Sequence, residues 1–176
     1  EDLTGCRLLD AGCGTGALAV EAARRGADVV AIDLSPTLVG LAESRAAETP
    51  VRGSLTFKVG DMLDPSMGRF DFVVAMDSLI HYRAPDMVEM VSRLAASADQ
   101  KVLFTFAPRT PLLTLMHLVG RLLPHRDRAP MLEPVSLGGL RRRITAAQTL
   151  SGWAPEASQR VQSGFYISQA LEVVRR

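Results

Sequence analysis

Leu8-Leu9-Asp10-Ala11-Gly12-Cys13-Gly14-Thr15-Gly16-Ala17 is the stretch on which the fold of this sequence turns. An apolar run of strand length, residues 6–11, passes into a glycine-rich loop at 12–16. Residues 17–25 follow with Ala, Val and Leu on one helical face, and Gly26 stands where a helix C-cap belongs. Glycines after a strand let the backbone turn sharply and approach a ligand where a Cβ would clash. The next helix then presents its unpaired N–H groups to that ligand. By itself the loop is ambiguous, because Gly12-x-Gly14-x-x-Ala17 also meets the dinucleotide-binding fingerprint.

Working outward, strand-length apolar runs alternate with longer amphipathic stretches, the pattern of parallel βαβ units. Residues 28–33 read as a second strand, followed by Ser35 as N-cap, Pro36 at the first helical position, and a helix to about residue 48. Residues 55–60 and 70–76 read as strands three and four, 85–96 as a helix and 101–107 as strand five. The rhythm breaks at 109–134, read as an inserted lid or substrate segment, with a leucine-rich stretch at 111–123 and a polar one at 125–130. Residues 137–150 read as helical, and 153–163 and 165–174 as two antiparallel edge strands joined through Gly164. The expected fold is a Rossmann-like α/β domain spanning 1–176. It has a seven-stranded, mostly parallel sheet, an antiparallel C-terminal hairpin and helices on both faces.

Three acids separate the ligand readings. Asp10 ends strand one just before the first glycine, where a carboxylate repels a pyrophosphate but suits an ammonium or sulfonium. Asp33 ends strand two, in place to accept from ribose hydroxyls, and Asp61 follows strand three, in reach of an adenine amine. All lie at carboxyl ends of adjacent strands, the ligand crevice of an open α/β sheet. In order and spacing the series resembles the class I S-adenosylmethionine-dependent methyltransferases over roughly the first hundred residues. We therefore assign S-adenosyl-L-methionine, with S-adenosyl-L-homocysteine as product, to Asp10, Gly12, Gly14, Gly16, Asp33, Leu34, Asp61, Met62 and Met76. A nicotinamide-dependent oxidoreductase is the competing reading that Asp10 and Asp61 disfavour.

With 47% hydrophobic and 22% charged residues in 176, the chain can bury a core unaided by metal or disulfide. The formal net charge of +1 gives no pull toward nucleic acid. Cys6 and Cys13 fit neither a metal-ligand spacing nor a secreted disulfide framework, so no metal and a cytoplasmic setting are expected. No apolar run approaches the ~20 residues that span a bilayer. Because the first strand starts almost at once, we expect an N-terminal arm to precede Glu1.

The loop after strand four reads Met76-Asp77-Ser78-Leu79-Ile80-His81-Tyr82. It lacks the Asn-Pro-Pro-Tyr type of motif that holds a nucleobase amine. His81 is the acid/base candidate, with helix capping as the plainer alternative, and Tyr82 reads as a wall. His117 and His125 have no partners in sequence. Together with Phe104-Thr105-Phe106-Ala107-Pro108-Arg109-Thr110 and Ser163-Gly164-Phe165-Tyr166-Ile167-Ser168-Gln169-Ala170-Leu171-Glu172, this loop resembles the magnesium-protoporphyrin IX O-methyltransferases of chlorophyll and bacteriochlorophyll biosynthesis.

That resemblance implies methylation of a propionate carboxylate of magnesium protoporphyrin IX to the monomethyl ester. It also implies His81 as the catalytic histidine and an N-terminal arm folding over the cofactor. Asp77, Tyr82, Arg109 and Tyr166 are assigned to the substrate side. Implied too are a porphyrin-binding subunit of magnesium chelatase as partner and, at most, peripheral contact with the photosynthetic membrane. A propionate is already ionised at neutral pH and needs no strong base. The arginines at 109, 121, 126, 128 and 141–143 offer either a partner for a second anion or a solvated face. The stretch 111–123 offers either an apolar lid over a macrocycle or a helix packed on the sheet. Left standing are a quinone or small-acid O-methyltransferase of the same fold and a non-catalytic cofactor-binding module.

Overall fold

The computed structural model describes residues 2–109, 133–163 and 166–176. The stretches 111–123 and 125–130, with His117, His125 and Arg121, Arg126 and Arg128, lie outside them. So do Gly164, Phe165 and the side chain of Tyr166.

Seven strands form one sheet: β1 (Arg7–Ala11), β2 (Asp28–Asp33), β3 (Ser54–Val59), β4 (Phe70–Ala75), β5 (Ala98–Phe106), β6 (Trp153–Ser163) and β7 (Tyr166–Arg175). Their order is β3-β2-β1-β4-β5-β7-β6. The first five pair in parallel, whereas β7 runs antiparallel to both β5 and β6. The expectation of two edge strands is therefore half corrected. Only β6 lies at the edge, and β7 is inserted between it and β5 because its apolar residues Leu171 and Val173 are fully buried.

Among the described residues, four helices cover the faces: α1 (Ala17–Arg24), α2 (Pro36–Ala47), α3 (Ala84–Ala96) and α4 (Leu137–Ala146). Side chains alternate across a strand, so successive residues feed two separate cores. Leu9, Ala11, Val73, Ala75, Val102, Phe104 and Phe106 pack with Met87, Val91 and Leu94 of α3 and Leu140 and Ile144 of α4. Their neighbours Leu8, Val29, Ala31 and Val74 pack with Ala19, Ala22 and Ala23 of α1 on the other face. Alanines on that face of α1 let its backbone lie close to the sheet.

Local chemistry sets the ends. Ser35 Oγ accepts from the Leu38 N–H at 3.3 Å, with Pro36 in the first turn of α2. Ser136 caps α4 by accepting from the Gly139 N–H at 3.5 Å. The helix expected over 137–150 is two pieces. Ala147 takes an extended conformation (φ −75°, ψ 117°), and a short 3-10 turn, Gln148–Leu150, follows it.

The strand order reverses between β1 and β4. That switch point opens a crevice at the carboxyl ends of the strands, and the loops after β1, β2, β3 and β4 surround it.

Candidate cofactor and acceptor site

The glycine loop is folded onto β2 by its own backbone. The Gly12 and Cys13 N–H groups both donate to the Ile32 carbonyl, at 2.9 and 3.0 Å. Gly12, Gly14 and Gly16 all have positive φ, of 81°, 53° and 77°. The three glycines nevertheless serve different ends. A Cβ on Gly12 would stand 2.6 Å from the Ser78 Cβ. A Cβ on Gly16 would stand 2.8 Å from the Ala42 Cβ and 2.9 Å from the Phe57 ring. A Cβ on Gly14 would meet nothing within 4 Å, so this position faces open space. Gly16 is thus a packing glycine at the start of α1, which has no side-chain cap.

Asp33 bridges two loops. Its Oδ2 accepts from the Gly14 N–H and its Oδ1 from the Ser35 N–H, each at 2.9 Å. Asp61 lies two residues beyond β3, and its Oδ1 accepts from the Leu63 N–H at 2.9 Å. With Leu34, 76% exposed, these residues line a cavity of about 460 Å³. Its other walls include Gly12, Ile32, Gly60, Met62, Tyr82 and Met90. Asp33, Asp61, Gly12, Leu34, Met62 and Tyr82 are therefore brought together around one cavity. Asp10, Gly14, Gly16, Met76, Asp77 and His81 are not among its walls.

Asp10 is the most unusual group of the site. It is 1% exposed, and its Oδ2 has no hydrogen-bond partner among the described residues. Burial pushes its carboxyl up to about 7, opposed by the Ala19 N–H and reinforced by the charge of Asp33. The same burial, with both acids nearby, pushes the Cys13 thiol up to about 12, so this cysteine is not a nucleophile at neutral pH. An orphaned, buried carboxyl oxygen beside a glycine loop fits a ligand carrying a positive charge. The ammonium and sulfonium of S-adenosylmethionine supply that charge, and a pyrophosphate does not.

On the other wall, β4 ends at Ala75, so Met76, 38% exposed, already belongs to the loop. Asp77 has a φ of 55°, the only positive value outside glycine among the described residues. Its N–H donates to Thr105 Oγ1 at 2.8 Å, and the Thr105 hydroxyl donates to Asp77 Oδ1 at 3.0 Å. Ser78 Oγ donates to the Ala11 carbonyl at 2.9 Å, tying this loop to the glycine loop. Leu79 anchors the loop in the core, fully buried, and leaves His81 exposed. Arg109 is exposed beyond β5, its N–H donating to the Val135 carbonyl at 2.9 Å.

Ser78, Thr105, Met90 and Arg93 escaped the sequence reading. Thr105 carried a signal, being the lone polar side chain in the run Val102-Leu103-Phe104-Thr105-Phe106-Ala107. Met90 and Arg93, one helical turn apart on α3, reach the cavity only through the packing of that helix. No cluster of metal-ligating side chains occurs among the described residues.

Comparison with known proteins bears on both walls. A family profile described as magnesium-protoporphyrin IX methyltransferase C-terminus matches residues 75–175, and a methyltransferase-domain profile matches 8–100. A magnesium-protoporphyrin O-methyltransferase of Rhodobacter capsulatus is 47% identical over 98% of this chain and 73% of its own length. A chloroplastic magnesium protoporphyrin IX methyltransferase of Arabidopsis thaliana is 34% identical over 98% of this chain, which spans 54% of that protein. The crystal structure of magnesium protoporphyrin IX methyltransferase from Synechocystis PCC 6803 with bound SAH superposes with a TM-score of 0.83. It is 32% identical, covering 99% of this chain and 76% of that one.

Proposed function

Because the chain belongs to the magnesium-protoporphyrin IX methyltransferase family, we propose that it esterifies a propionate carboxylate of magnesium protoporphyrin IX to the monomethyl ester. It is an S-adenosylmethionine-dependent methyltransferase of chlorophyll or bacteriochlorophyll biosynthesis. When bound, the cofactor supplies a methyl carbon made electrophilic by the adjoining sulfonium and leaves as S-adenosylhomocysteine.

The residues divide the work by wall. Asp33 and Asp61 hold the ribose and adenine, with Leu34 and Met62 as apolar neighbours. Gly12 and Gly14 let the loop backbone approach the ligand, and Asp10 answers its positive charge. Met76 borders the cofactor, while Asp77, Tyr82, Arg109 and Tyr166 serve the acceptor side. A carboxylate is already a nucleophile at neutral pH, so the acceptor loop has to orient and desolvate it rather than deprotonate it. His81 does the orienting, as a hydrogen-bond donor. The observation that carries this reading is the bond from Ser78 to Ala11, which sets the acceptor loop directly against the glycine loop.

Within this reading, 1–176 is one methyltransferase domain. Delivery of the porphyrin by a magnesium chelatase subunit and peripheral membrane contact belong to the same reading. No helix among the described residues is long and apolar enough to cross a membrane.

The test is single-turnover methyl transfer across pH 5.5–8.5 in the full-length enzyme. His81→Ala should lower the rate strongly with little change in cofactor affinity, and His81→Gln should restore part of it. If His81 acted as a base, Gln would be as inactive as Ala, and the wild-type rate would rise through a pKa near ~6.5. Wild-type rates in both variants would remove His81 from the site.

A further inference from the structure

We propose that Thr105 is a positioning residue for methyl transfer, fixing the acceptor loop through Asp77; this rests on the reading of residues 76–82 as that loop. Thr105 is 3% exposed near the end of β5, in an otherwise apolar run. Its one hydroxyl is used in both directions, accepting from the Asp77 N–H and donating to the Asp77 carboxylate. Both bonds go to the single non-glycine residue with a positive φ among the described residues.

A residue with a Cβ resists that conformation, and Asp is among the few that adopt it, given local hydrogen bonds. Thr105 supplies such bonds. The left-handed turn at Asp77 is where the chain leaves the line of β4, so it sets the direction in which Ser78, Leu79 and His81 follow. Ser78 holds the next residue from the opposite side, through the Ala11 carbonyl. The loop is therefore gripped at two consecutive residues, by β5 and by the glycine loop. A purely packing role is better filled at this buried position by Val, which matches Thr in shape.

The grip makes a specific kinetic claim. Small errors in the placement of an acceptor are costly when the reaction is an in-line displacement. Without the hydroxyl, the Asp77 N–H loses the Thr105 acceptor and the loop relaxes, while the cofactor cavity, which the acceptor loop touches only through Ser78 and Tyr82, keeps its walls from β2, the loops after β2 and β3, and α3.

The experiment compares Thr105→Val, Thr105→Ser and Thr105→Ala in the full-length enzyme, measuring kcat, KM for magnesium protoporphyrin and calorimetric Kd for S-adenosylhomocysteine. Thr105→Val should lower kcat by about tenfold to a hundredfold, with the Kd within about threefold of wild type. Thr105→Ser should turn over near the wild-type rate. Ser and Ala both lack the Thr methyl group and differ from each other only by the hydroxyl, so that pair decides the matter even if Thr105→Val fails to fold. A wild-type kcat in Thr105→Val or Thr105→Ala overturns the proposal. So does a loss of S-adenosylhomocysteine affinity in step with kcat, or a Thr105→Ser as slow as Thr105→Ala. A wild-type control that does not methylate magnesium protoporphyrin overturns the functional reading and this inference together, and only that outcome touches the control.

Discussion

Asp10 shows how far one residue's role depends on its surroundings. Its place at the end of β1 is legible in the sequence, and so is the preference of a carboxylate there for a cationic ligand. Its burial is not, because that arises from the packing of β2, β4 and the glycine loop around it. With the carboxyl raised from 3.8 to about 7, the ligand-free protein holds a proton on Asp10 through mildly acidic pH. The ammonium group that S-adenosylmethionine and S-adenosylhomocysteine share pairs with the ionised form, so binding must expel that proton. The Kd for S-adenosylhomocysteine should therefore fall by about tenfold per pH unit as pH rises toward 7, and flatten above it. Stability runs the opposite way. The raised pKa favours the folded state fully below 3.8, and that contribution is lost as pH rises through 7. Asp10→Asn should abolish the slope of Kd with pH and make the ligand-free protein more stable than wild type at pH 8. Binding calorimetry and urea denaturation at pH 5.5, 6.5 and 8 check both. A pH-independent wild-type Kd would show that Asp10 is already ionised in the free protein. Thr105 and Ser78 were harder to foresee, because each acts across a distance in sequence, 28 and 67 residues from its partner.

For single elements, hydrophobic periodicity did most of the work. Each of the seven strands was foreseen within a few residues, since apolar runs too short for helices, alternating with longer amphipathic stretches, admit few other structures. What escaped was how the elements lie against one another. The break at Ala147 leaves little local trace, and the position of β7 inside the sheet follows from burial on both of its edges rather than from its own composition. The helix α1 offers a test of the same distinction. Gly16 and Gly14 look equivalent in the glycine motif, yet only Gly16 is wedged against Ala42 and Phe57. Gly16→Ala combines left-handed strain of ~1–2 kcal/mol with overpacking of ~1–3 kcal/mol, a destabilisation of about 2–5 kcal/mol. Gly14→Ala bears the strain alone, about 1–2 kcal/mol. Urea midpoints at constant slope should rank wild type, Gly14→Ala and Gly16→Ala in that order. Equal midpoints for the two variants would mean that α1 shifts away from α2 and β3 at little cost.

In the molecule as a whole, the strand that follows β6 in the chain is the one that joins β6 to everything else. Lys101, Val102, Leu103, Phe104, Thr105 and Phe106 of β5 all pair with β7, and β6 pairs with β7 alone. Removing residues 166–176 would strip buried Leu171 and Val173 from the core and leave β6 without a neighbour. The truncated protein should lack a cooperative urea transition, read by circular dichroism, and a sharp two-state transition would show that β5 closes the sheet adequately by itself. The same arrangement bears on synthesis. As the nascent chain leaves the ribosome, β6 emerges before the strand that will hold it. Until β7 arrives, the nascent domain presents the unpaired backbone of β5 beside exposed apolar side chains, the combination that recruits chaperones or a neighbouring chain's strand. A pause in translation that leaves β6 outside the ribosome and β7 still enclosed would prolong that state, and silent codon changes that create such a pause would alter the yield of folded enzyme without changing a single amino acid.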